Sequence, residues 1–348
     1  MNNYTSYIDR IDKLDREELT ELLTFYSEED RIYAQEKARA LTEKVFKKKI
    51  YIRGLIEFTN ICKNNCYYCG IRCANRNVER FRMSEEDILK CCEKGYNLGF
   101  RTFVLQGGED EYFNDERLCH IVGSIHDRYK DCAITLSVGE RSYESYKKLF
   151  EKGANRYLLR HETASPVHYA LLHPKEMSYD NRMRCLNDLK KIGYQTGCGM
   201  MVGSPFQTLG NLADDLLFIR EFKPEMVGIG PFLPQSDTPF GNEKAGSVEL
   251  TLFLLSLVRL MMPSVLLPST TALGSALEDG RIKGIMAGAN VYMPNLSPED
   301  NRDKYLLYDN KAGLNDDASY VLEQLRKKLD DFGYSIVVGR GDYKENNE

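Results

Sequence analysis

Residues 57–70 read EFTNICKNNCYYCG, and they place Cys62, Cys66 and Cys69 on one short loop directly after a run typical of a strand. Three residues separate the first two cysteines, and two residues separate the second from the third. Thiolates are soft ligands, and three of them on one loop can hold three irons of a [4Fe-4S] cube. The fourth iron then has no protein ligand, so the stretch predicts a cluster that is open to a small molecule.

A structural zinc site is the alternative, because Cys73 follows Cys69 closely and a fourth thiolate would complete a tetrahedron. Structural zinc sites usually join two short cysteine pairs across a longer spacer, whereas these four cysteines crowd into one loop. The spacing therefore favours the cube, with Cys73 as a spare thiol that has no structural role.

Composition and charge limit the class of protein. The 348-residue chain is 42% hydrophobic and has a formal net charge of -5, with acidic and basic residues interspersed. A nucleic acid partner would favour a basic face, so we expect none. The longest apolar run, 250–262, is interrupted by Arg259 and is too short to cross a bilayer. We therefore expect no membrane association.

The cysteine content indicates a reducing compartment. Ten cysteines at irregular spacing do not resemble the disulfide framework of a secreted protein. Residues 1–18 alternate polar and charged side chains and are not expected to form a signal peptide. The expected location is cytoplasmic.

Short apolar runs alternate with amphipathic segments from residue 49 onward. The predicted strands are 50–58, 102–106, 133–138, 156–160, 196–202, 226–229, 265–269 and 289–293. The predicted helices between them are 84–98, 116–129, 143–152, 179–192, 209–222, 248–262 and 276–287, and 166–172 is a possible extra turn. Such alternation is typical of parallel strands with right-handed crossovers, and eight strands predict an α/β fold, the (β/α)8 barrel of the TIM type.

Three segments are expected along the chain. Residues 1–48 form a helical extension, residues 49–296 form the barrel, and residues 297–348 form a C-terminal helical cap or tail. Within the extension, leucines at helical spacing predict a helix over 16–26, and an N-cap at Ser27 predicts a second helix that ends near residue 47. The tail has one predicted helix, 318–332, and a possible short strand, 334–338.

Polar residues follow several of the predicted strands, at the barrel end where reactive groups collect in this fold. Paired glycines after the second strand let the backbone approach a ligand closely. Three ionisable residues end the fourth strand, and burying unpaired charges would cost several kcal/mol, so packing alone explains them poorly. The residues at the ends of the second, third and fourth strands are Gln106, Gly107, Gly108, Glu109, Ser137, Arg160, His161 and Glu162.

The cysteine loop, with Tyr68 just before its third cysteine, resembles the cluster loop of the radical S-adenosylmethionine (SAM) superfamily. In that superfamily SAM binds the open iron through its amino and carboxylate groups. One electron from the cube splits SAM into methionine and a 5′-deoxyadenosyl radical. The glycine pair followed by Glu109 is similar to the element that holds the SAM amino group. The resemblance implies two cofactors, a [4Fe-4S] cluster and SAM.

Individual side chains have expected roles in this scheme. Glu162 is suited to accept hydrogen bonds from a ribose diol, and Arg160 to hold an anionic substrate group. Arg182 can reach the SAM carboxylate with a planar fork of donors, although a solvated arginine on a helix is an equal interpretation. The residues expected to contact SAM are Tyr68, Gln106, Gly107, Gly108, Glu109, Ser137, Glu162 and Arg182.

Longer stretches between about residues 50 and 298 resemble the HydE family, the radical SAM maturases of [FeFe]-hydrogenase. They are YLLRHETA (157–164), MVGIGPF (226–232), DTP (237–239), TTA (270–272), GANV (288–291) and MPN (293–295). The resemblance implies that Cys62, Cys66 and Cys69 hold the cube. It also implies substrate or anion contacts at Arg160, Met226, Thr270, Thr271 and Ala272. Some members carry a second cluster on three C-terminal cysteines, but no cysteine follows Cys198 here.

Membership of that family implies one step in assembling the di-iron subcluster of the hydrogenase H-cluster. The substrate would be a small organometallic or cysteine-derived molecule from the HydG maturase, the product would pass to the HydF scaffold, and ferredoxin or flavodoxin would donate the electron. Another small-molecule radical SAM enzyme, such as methylornithine synthase or a biotin synthase relative, is the nearest alternative. A zinc-stabilised binding protein is the non-enzymatic alternative, and it has no use for the charged strand ends.

Overall fold

Parallel strands around one axis form the centre of the computed structural model, which describes residues 4–314 and 316–344. Residues 1–3, 315 and 345–348, which belong to the predicted terminal segments, lie outside that description. The strands are β1 (Lys49–Ile52), β2 (Gly54–Thr59), β3 (Thr102–Gly107), β4 (Ala133–Ser137), β5 (Ala154–Leu158), β6 (Gln195–Val202), β7 (Met226–Pro231), β8 (Pro268–Ser269), β9 (Val291–Tyr292) and β10 (Ser335–Val337).

Two sheets close into a barrel. Strands β2 to β7 pair in sequence order, and the second sheet has the order β10-β1-β9-β8. Single parallel bridges join the two sheets on both sides, one between Leu55 and Asn295 and one between Met226 and Leu266. Strands β2 to β9 therefore surround one axis, and the predicted (β/α)8 fold is confirmed.

The first strand and the last two strands differ from the prediction. The run 50–58 is divided at Arg53, because β1 pairs with β9 and β10 whereas β2 pairs with β3. Strands β8 and β9 contain two residues each and are shorter than predicted. One cause is the side-chain Oδ1 of Asn290, which accepts the Leu267 amide hydrogen and interrupts the ladder of backbone hydrogen bonds there.

Helices cover the outside of the barrel, and most begin at a Ser, Thr, Asn or Asp whose side chain accepts an amide hydrogen of the first turn, as Ser84 and Ser142 do. The predicted turn at 166–172 is a helix with proline at its first position. The helices are α1 (Thr5–Asp9), α2 (Arg16–Phe25), α3 (Glu28–Phe46), α4 (Glu85–Asn97), α5 (Asp115–Arg128), α6 (Tyr143–Glu151), α7 (Pro166–Leu172), α8 (Tyr179–Ile192), α9 (Leu209–Phe222), α10 (Val248–Met261), α11 (Thr271–Ala276), α12 (Gly280–Met286), α13 (Glu299–Arg302) and α14 (Ala318–Asp330).

The N-terminal helices pack on the outside of the barrel rather than at its mouth. Helix α2 lies against α9, and α3 lies against α10. The ring of Tyr26 stacks on that of Phe253 with centroids 4.3 Å apart, and Thr42 Oγ1 donates to the Gly288 carbonyl at 3.2 Å. The helical extension therefore buries apolar surface of α9 and α10 and contributes no side chain to the barrel interior that is described below.

The C-terminal segment covers both ends of the barrel. Residues 303–311 cross the carboxyl end, where the buried Lys311 ammonium contacts both carboxylate oxygens of Glu57 at 2.6 and 2.7 Å. At the amino end, β10 pairs with β1, and Asp342 accepts a 2.7 Å hydrogen bond from the fully buried Arg156. The segment therefore contacts the barrel at both of its ends. No helix within the described residues is long and apolar enough to cross a membrane.

Candidate active site

A cavity of about 300 Å³ lies inside the carboxyl end of the barrel. The structure brings together there all but two of the residues that the sequence predicts for cluster, SAM and substrate. The predicted residues that line the cavity are Cys62, Cys66, Tyr68, Cys69, Gln106, Gly107, Gly108, Glu109, Ser137, Arg160, Glu162, Arg182, Thr270 and Ala272.

Met226 and Thr271 do not line this cavity, and the expectation that they contact substrate there is corrected. Met226 begins β7 at the amino end of the barrel, where its Sδ lies 2.9 Å from Arg53 Nη1. Thr271 is the first residue of α11, and its Oγ1 accepts a hydrogen bond from Arg281 Nη2 at 3.1 Å. The sequence stretches that contain both residues match the resemblance, but matching stretches do not reveal which side chain faces the interior.

The cysteine loop, which follows β2, packs against the residues directly after β3. The Lys63 amide donates to the Glu109 carbonyl at 3.0 Å, and the Glu109 amide lies 3.4 Å from Cys62 Sγ. A Cβ on Gly108 would approach the Ile61 carbonyl oxygen to 2.3 Å, so only glycine allows this contact between loop and strand. The paired glycines thus position the cysteine loop as well as line the cavity.

The three predicted cluster thiols differ from Cys73 in their surroundings. Burial raises the pKa of the Cys62, Cys66 and Cys69 thiols, and that of Cys69 to about 12. Buried thiols with raised pKa values become thiolates readily only beside a cation such as iron. Cys73 is exposed, does not line the cavity, and donates its amide hydrogen to the Asn64 carbonyl at 2.9 Å.

A single metal ion requires its ligands to converge on one point, whereas each thiolate of a cube binds a different iron. Among residues 4–314 and 316–344, no three or more His, Cys, Asp or Glu side chains converge in that way. The placement of Cys62, Cys66 and Cys69 around one wall of a cavity fits the cube, and Cys73 is placed outside it.

Glu162 follows a bulge at the end of the fourth barrel strand. Strand β5 ends at Leu158, two residues before the predicted end, and Leu158 pairs with Gly197. Glu162 pairs with Met200, so the segment from 158 to 162 has one more residue than the facing part of β6. Glu162 has a φ of 64°, which is uncommon for a residue other than glycine. The bulge turns its carboxylate into the cavity.

A buried pair lies behind this bulge. His161 and Asp215 are both fully buried, with Nε2 and Oδ1 3.4 Å apart. His161 Nδ1 accepts the Gly199 amide hydrogen at 3.2 Å, and Asp215 Oδ1 accepts that of Ala164 at 2.5 Å. The pair therefore fixes the backbone of β6 at Gly199 and the backbone after Glu162 at Ala164.

Arg182 reaches the cavity from the first turn of α8. Its Nε donates to Glu140 Oε1 at 2.5 Å, and its Nη1 donates to the Arg160 carbonyl at 2.6 Å. Asn181 holds the other oxygen of Glu140. This network fixes the guanidinium plane of a residue that lines the cavity. Nη2 takes no part in it and can bind a carboxylate. The solvated alternative for Arg182 is wrong, because the side chain is buried.

The wall opposite the cysteines has polar atoms without partners. Arg160 Nε and Nη2, Glu162 Oε2 and Thr270 Oγ1 are buried, and none has a hydrogen-bonding partner within the described residues, although Arg160 Nη2 and Glu162 Oε2 form an ion pair at 3.2 Å. Buried polar groups of folded proteins are nearly always satisfied, so unsatisfied ones that face a cavity indicate a bound ligand. Gly230 allows Thr270 to approach, because a Cβ there would lie 2.9 Å from Thr270 Oγ1.

Sequence reasoning missed a group of lining residues and a histidine that supports one predicted lining residue. The segment that crosses the carboxyl end of the barrel covers the cavity there with Tyr305, Leu307 and Tyr308. Tyr68 is held by His173, whose Nε2 lies 3.2 Å from the tyrosine hydroxyl. The only sequence signal for the residues of the covering segment was the presence of aromatic residues in the tail. Those residues do not reveal that the tail folds back over the carboxyl end of the barrel.

Comparisons with known proteins agree with this geometry. Residues 56–219 match the model of the Radical SAM superfamily. The [FeFe] hydrogenase maturase subunit HydE of Thermotoga maritima is 44% identical over 86% of this chain and 87% of that protein. The 3-methylornithine synthase of Methanosarcina acetivorans is 28% identical over 90% of this chain and 89% of that protein. The crystal structure of methylornithine synthase (PylB) has the same fold, with a TM-score of 0.81 at 24% identity over 95% of this chain and 96% of that chain.

Proposed function

Because the chain belongs to the HydE family of radical SAM enzymes, we propose that it assembles part of the di-iron subcluster of the [FeFe]-hydrogenase H-cluster. The observation that carries this proposal is the 44% identity to a hydrogenase maturase subunit along most of both chains. The chain is a radical SAM enzyme that uses a [4Fe-4S] cluster and SAM. The roles of its individual residues belong to the proposal.

Cys62, Cys66 and Cys69 hold the cluster in this proposal, and the residues present fit it. Three partly buried thiols line the cavity, and no fourth cysteine among the described residues lines it. When bound, the cluster and SAM supply a 5′-deoxyadenosyl radical. The protein's own part is to orient the reactants and to exclude water, and the tyrosines of the covering segment serve the second purpose.

SAM would lie between the cysteine loop and the bulge at Glu162. The Glu162 carboxylate accepts hydrogen bonds from the ribose hydroxyls, and Arg182 Nη2 donates to the SAM carboxylate. Backbone carbonyls at Gly107 and Gly108, together with the Glu109 carboxylate, accept from the SAM amino group. Gln106, Ser137 and Tyr68 complete the contacts. The unpartnered Oε2 of Glu162 supports this placement, since a ligand donor would satisfy it.

The substrate would occupy the wall formed by Arg160, Thr270 and Ala272. Arg160 Nε and the Thr270 hydroxyl have no partner within the described residues, and Arg160 Nη2 is paired only with Glu162, which together suit an anionic group. A small organometallic or cysteine-derived molecule meets that requirement. We propose that it comes from the HydG maturase, that the product passes to the HydF scaffold, and that ferredoxin or flavodoxin donates the electron. A cytoplasmic location belongs to the same proposal.

Maturation of hydrogenase in a defined mixture tests the proposal. Anaerobically reconstituted protein should replace the HydE component beside HydF, HydG and apo-hydrogenase, and hydrogen evolution should appear. Cys66→Ala protein should not replace it. SAM cleavage without any maturation would contradict the assignment and favour an activity of the methylornithine synthase type, for which 3-methylornithine formation is the assay.

A further inference from the structure

The outer side of the cysteine loop is basic, although the chain as a whole is acidic. Between residues 61 and 82 the charged residues are Lys63, Arg72, Arg76, Arg80 and Arg82 against Glu79, whereas the net charge of the chain is -5. Local positive charge on an acidic protein marks a surface that attracts an acidic partner. The basic character is therefore a property of this loop and not of the composition.

Only some of these basic side chains form ion pairs or several hydrogen bonds within the protein. Lys63 contacts Glu109 at 3.5 Å and Arg82 contacts Asp110 at 2.7 Å. Arg80 donates four hydrogen bonds to backbone carbonyls. Among the described residues, no carboxylate lies within ion-pair distance of Arg72 or of the exposed Arg76. Arg72 Nε donates to Asn65 Oδ1 at 2.6 Å, so the other guanidinium nitrogens of Arg72 and the guanidinium of Arg76 remain available to a partner.

Exposed apolar side chains lie on two segments near the cysteine loop. Phe206 is 61% exposed, and Val167 and Leu171 on α7 are 75% and 43% exposed. Phe206 also has a φ of 65°, a conformation that is costly for a bulky residue and is usually found at functional positions. A strained backbone that presents a phenyl ring to solvent is poorly explained by packing of the free protein.

Contacts connect the apolar and basic parts. Arg72 lies over the Tyr67 ring at 5.9 Å, and Tyr67 packs against Phe240, which packs against Phe206, each with ring centroids 6.0 Å apart. The Tyr67 amide donates to the Leu172 carbonyl at the end of α7. We call the surface formed by Tyr67, Arg72, Arg76, Val167, Leu171 and Phe206 the donor face.

We propose that the donor face binds an acidic iron–sulfur protein, a one-electron carrier that reduces the cluster. The inference rests on the proposed function, in which Cys66 and Cys69 on either side of Tyr67 hold that cluster. The carrier loses one electron and the cluster gains one, with no proton or group transferred. A carrier seated there is separated from the cluster by the thickness of one loop.

The size and chemistry of the surface fit such a carrier. Electron carriers make small, transient contacts, for which a few apolar side chains ringed by charge suffice. A protein that received the product would instead need access to the cavity, which Tyr305 and Tyr308 cover from the C-terminal segment. The donor face consists of residues of the cysteine loop, α7 and the loop after β6, and none of them lines the cavity.

Rates of SAM cleavage with two reductants test the inference. The variants are Arg76→Glu and Phe206→Asn, since asparagine tolerates a positive φ, and the matched control is Arg326→Glu on α14, an exposed arginine outside the donor face. Release of 5′-deoxyadenosine is measured with dithionite and with a subsaturating, reduced, acidic bacterial ferredoxin. We expect a fall of about tenfold in the ferredoxin-driven rate of Arg76→Glu, at the low end of the range for electrostatic steering. A similar fall is expected for Phe206→Asn, because it removes an apolar anchor of the contact.

The dithionite-driven rate of both variants should remain that of the unaltered protein, and Arg326→Glu should match the unaltered protein with both reductants. Raising the salt concentration should slow the ferredoxin-driven reaction of the unaltered protein and have little effect on Arg76→Glu. Unchanged ferredoxin-driven rates in both variants would overturn the donor face while leaving the proposed function intact.

An equal fall with both reductants would mean that the altered residue supports the loop. Val167→Glu, on α7, is then the deciding variant. A lower rate of SAM cleavage with ferredoxin alone would support the donor face, and an unchanged rate with ferredoxin would overturn it. Absence of SAM cleavage by the unaltered protein with dithionite would instead contradict the proposed function.

Discussion

Arg160 Nη2 lies 3.2 Å from Glu162 Oε2, yet both buried atoms lack a hydrogen-bonding partner within the described residues. The two charges attract each other, but their geometry does not form the bond that would stabilise the pair fully. Leaving a buried polar atom unsatisfied costs about 1–3 kcal/mol. A ligand that gave each group its own partner would recover that free energy, so the pair is arranged to hold two ligand groups.

Glu162→Gln should weaken SAM binding. The substitution keeps the shape and one acceptor oxygen but removes charge-assisted hydrogen bonds that are each worth about 1.5–3 kcal/mol. At about 1.4 kcal/mol per decade, the Kd for SAM should rise by about one to two decades. Titration of SAM into anaerobic protein measures this.

The cluster should be retained in that variant, because Glu162 and the cysteines lie on different strands. The melting temperature without ligand is the control, since a carboxylate that served only to pair with Arg160 would lower it. A depressed melting temperature with unchanged SAM affinity would make the residue structural and contradict the prediction.

Alanine at Cys62, Cys66 or Cys69 should abolish both cluster binding and SAM cleavage, because each thiolate is the protein ligand of one iron. Cys73→Ala is the matched control within the same loop, and it should retain both properties because Cys73 is exposed and does not line the cavity. Iron and sulfide content and the visible absorption of reconstituted protein give the result. Loss of the metal in Cys73→Ala, with zinc in the unaltered protein, would favour a closed four-thiolate site.

Thr270→Val should impair hydrogenase maturation and spare SAM binding without substrate. Valine has nearly the same shape, so the change removes the unpartnered hydroxyl that faces the cavity. Thr271→Val is the matched control, since that hydroxyl accepts from Arg281 and does not line the cavity. Arg160→Ala should behave as Thr270→Val does. A loss of SAM affinity in Arg160→Ala would move that arginine into the SAM site.

Lys311→Met should destabilise the protein by about 3–5 kcal/mol, because it leaves the buried Glu57 carboxylate without its cation. Lys304→Met is the comparison, since Lys304 pairs with Glu79, whose side chain is 73% exposed, and such a pair contributes about 0–1 kcal/mol. Urea unfolding followed by circular dichroism measures both. Similar losses in the two variants would show that the Lys311 pair is no more important than one at the surface.

His173 should make the protein less stable in acid. Burial lowers its pKa to about 3, below the value of about 6.5 expected in the unfolded chain. Between these values the unfolded state binds the proton and the folded state does not, so the free energy of unfolding falls as the pH falls from 6.5 towards 3. At pH 5 the loss is about 2 kcal/mol.

His173→Gln should reduce the difference between the free energies of unfolding at pH 7.5 and pH 5 by that amount. His120→Gln is the control, because the His120 side chain is 71% exposed. Urea unfolding at both pH values gives the comparison. An unchanged pH dependence in His173→Gln would mean that this histidine is protonated in the folded protein.

Local chemistry and periodicity determine what the sequence shows by itself. The spacing of Cys62, Cys66 and Cys69 places three thiols on one loop whatever surrounds them. The alternation of apolar runs with amphipathic segments leads to parallel strands, and a capping serine such as Ser84 begins its helix through a hydrogen bond three residues away. Because carboxyl ends of parallel strands meet at one end of a barrel, the gathering of Gln106, Glu109 and Arg160 also followed from order alone.

Tertiary structure decided the features that depend on contacts between distant residues. The division of the first strand at Arg53 results from pairing with β9 and β10, which lie far along the chain. The bulge that turns Glu162 into the cavity exists only relative to its neighbour β6. Met226 belongs to a matching stretch, yet its place in β7 puts it at the opposite end of the barrel. Tyr305 and Tyr308 reach the cavity because Lys311 binds Glu57, a contact between residues 254 positions apart that no local pattern encodes.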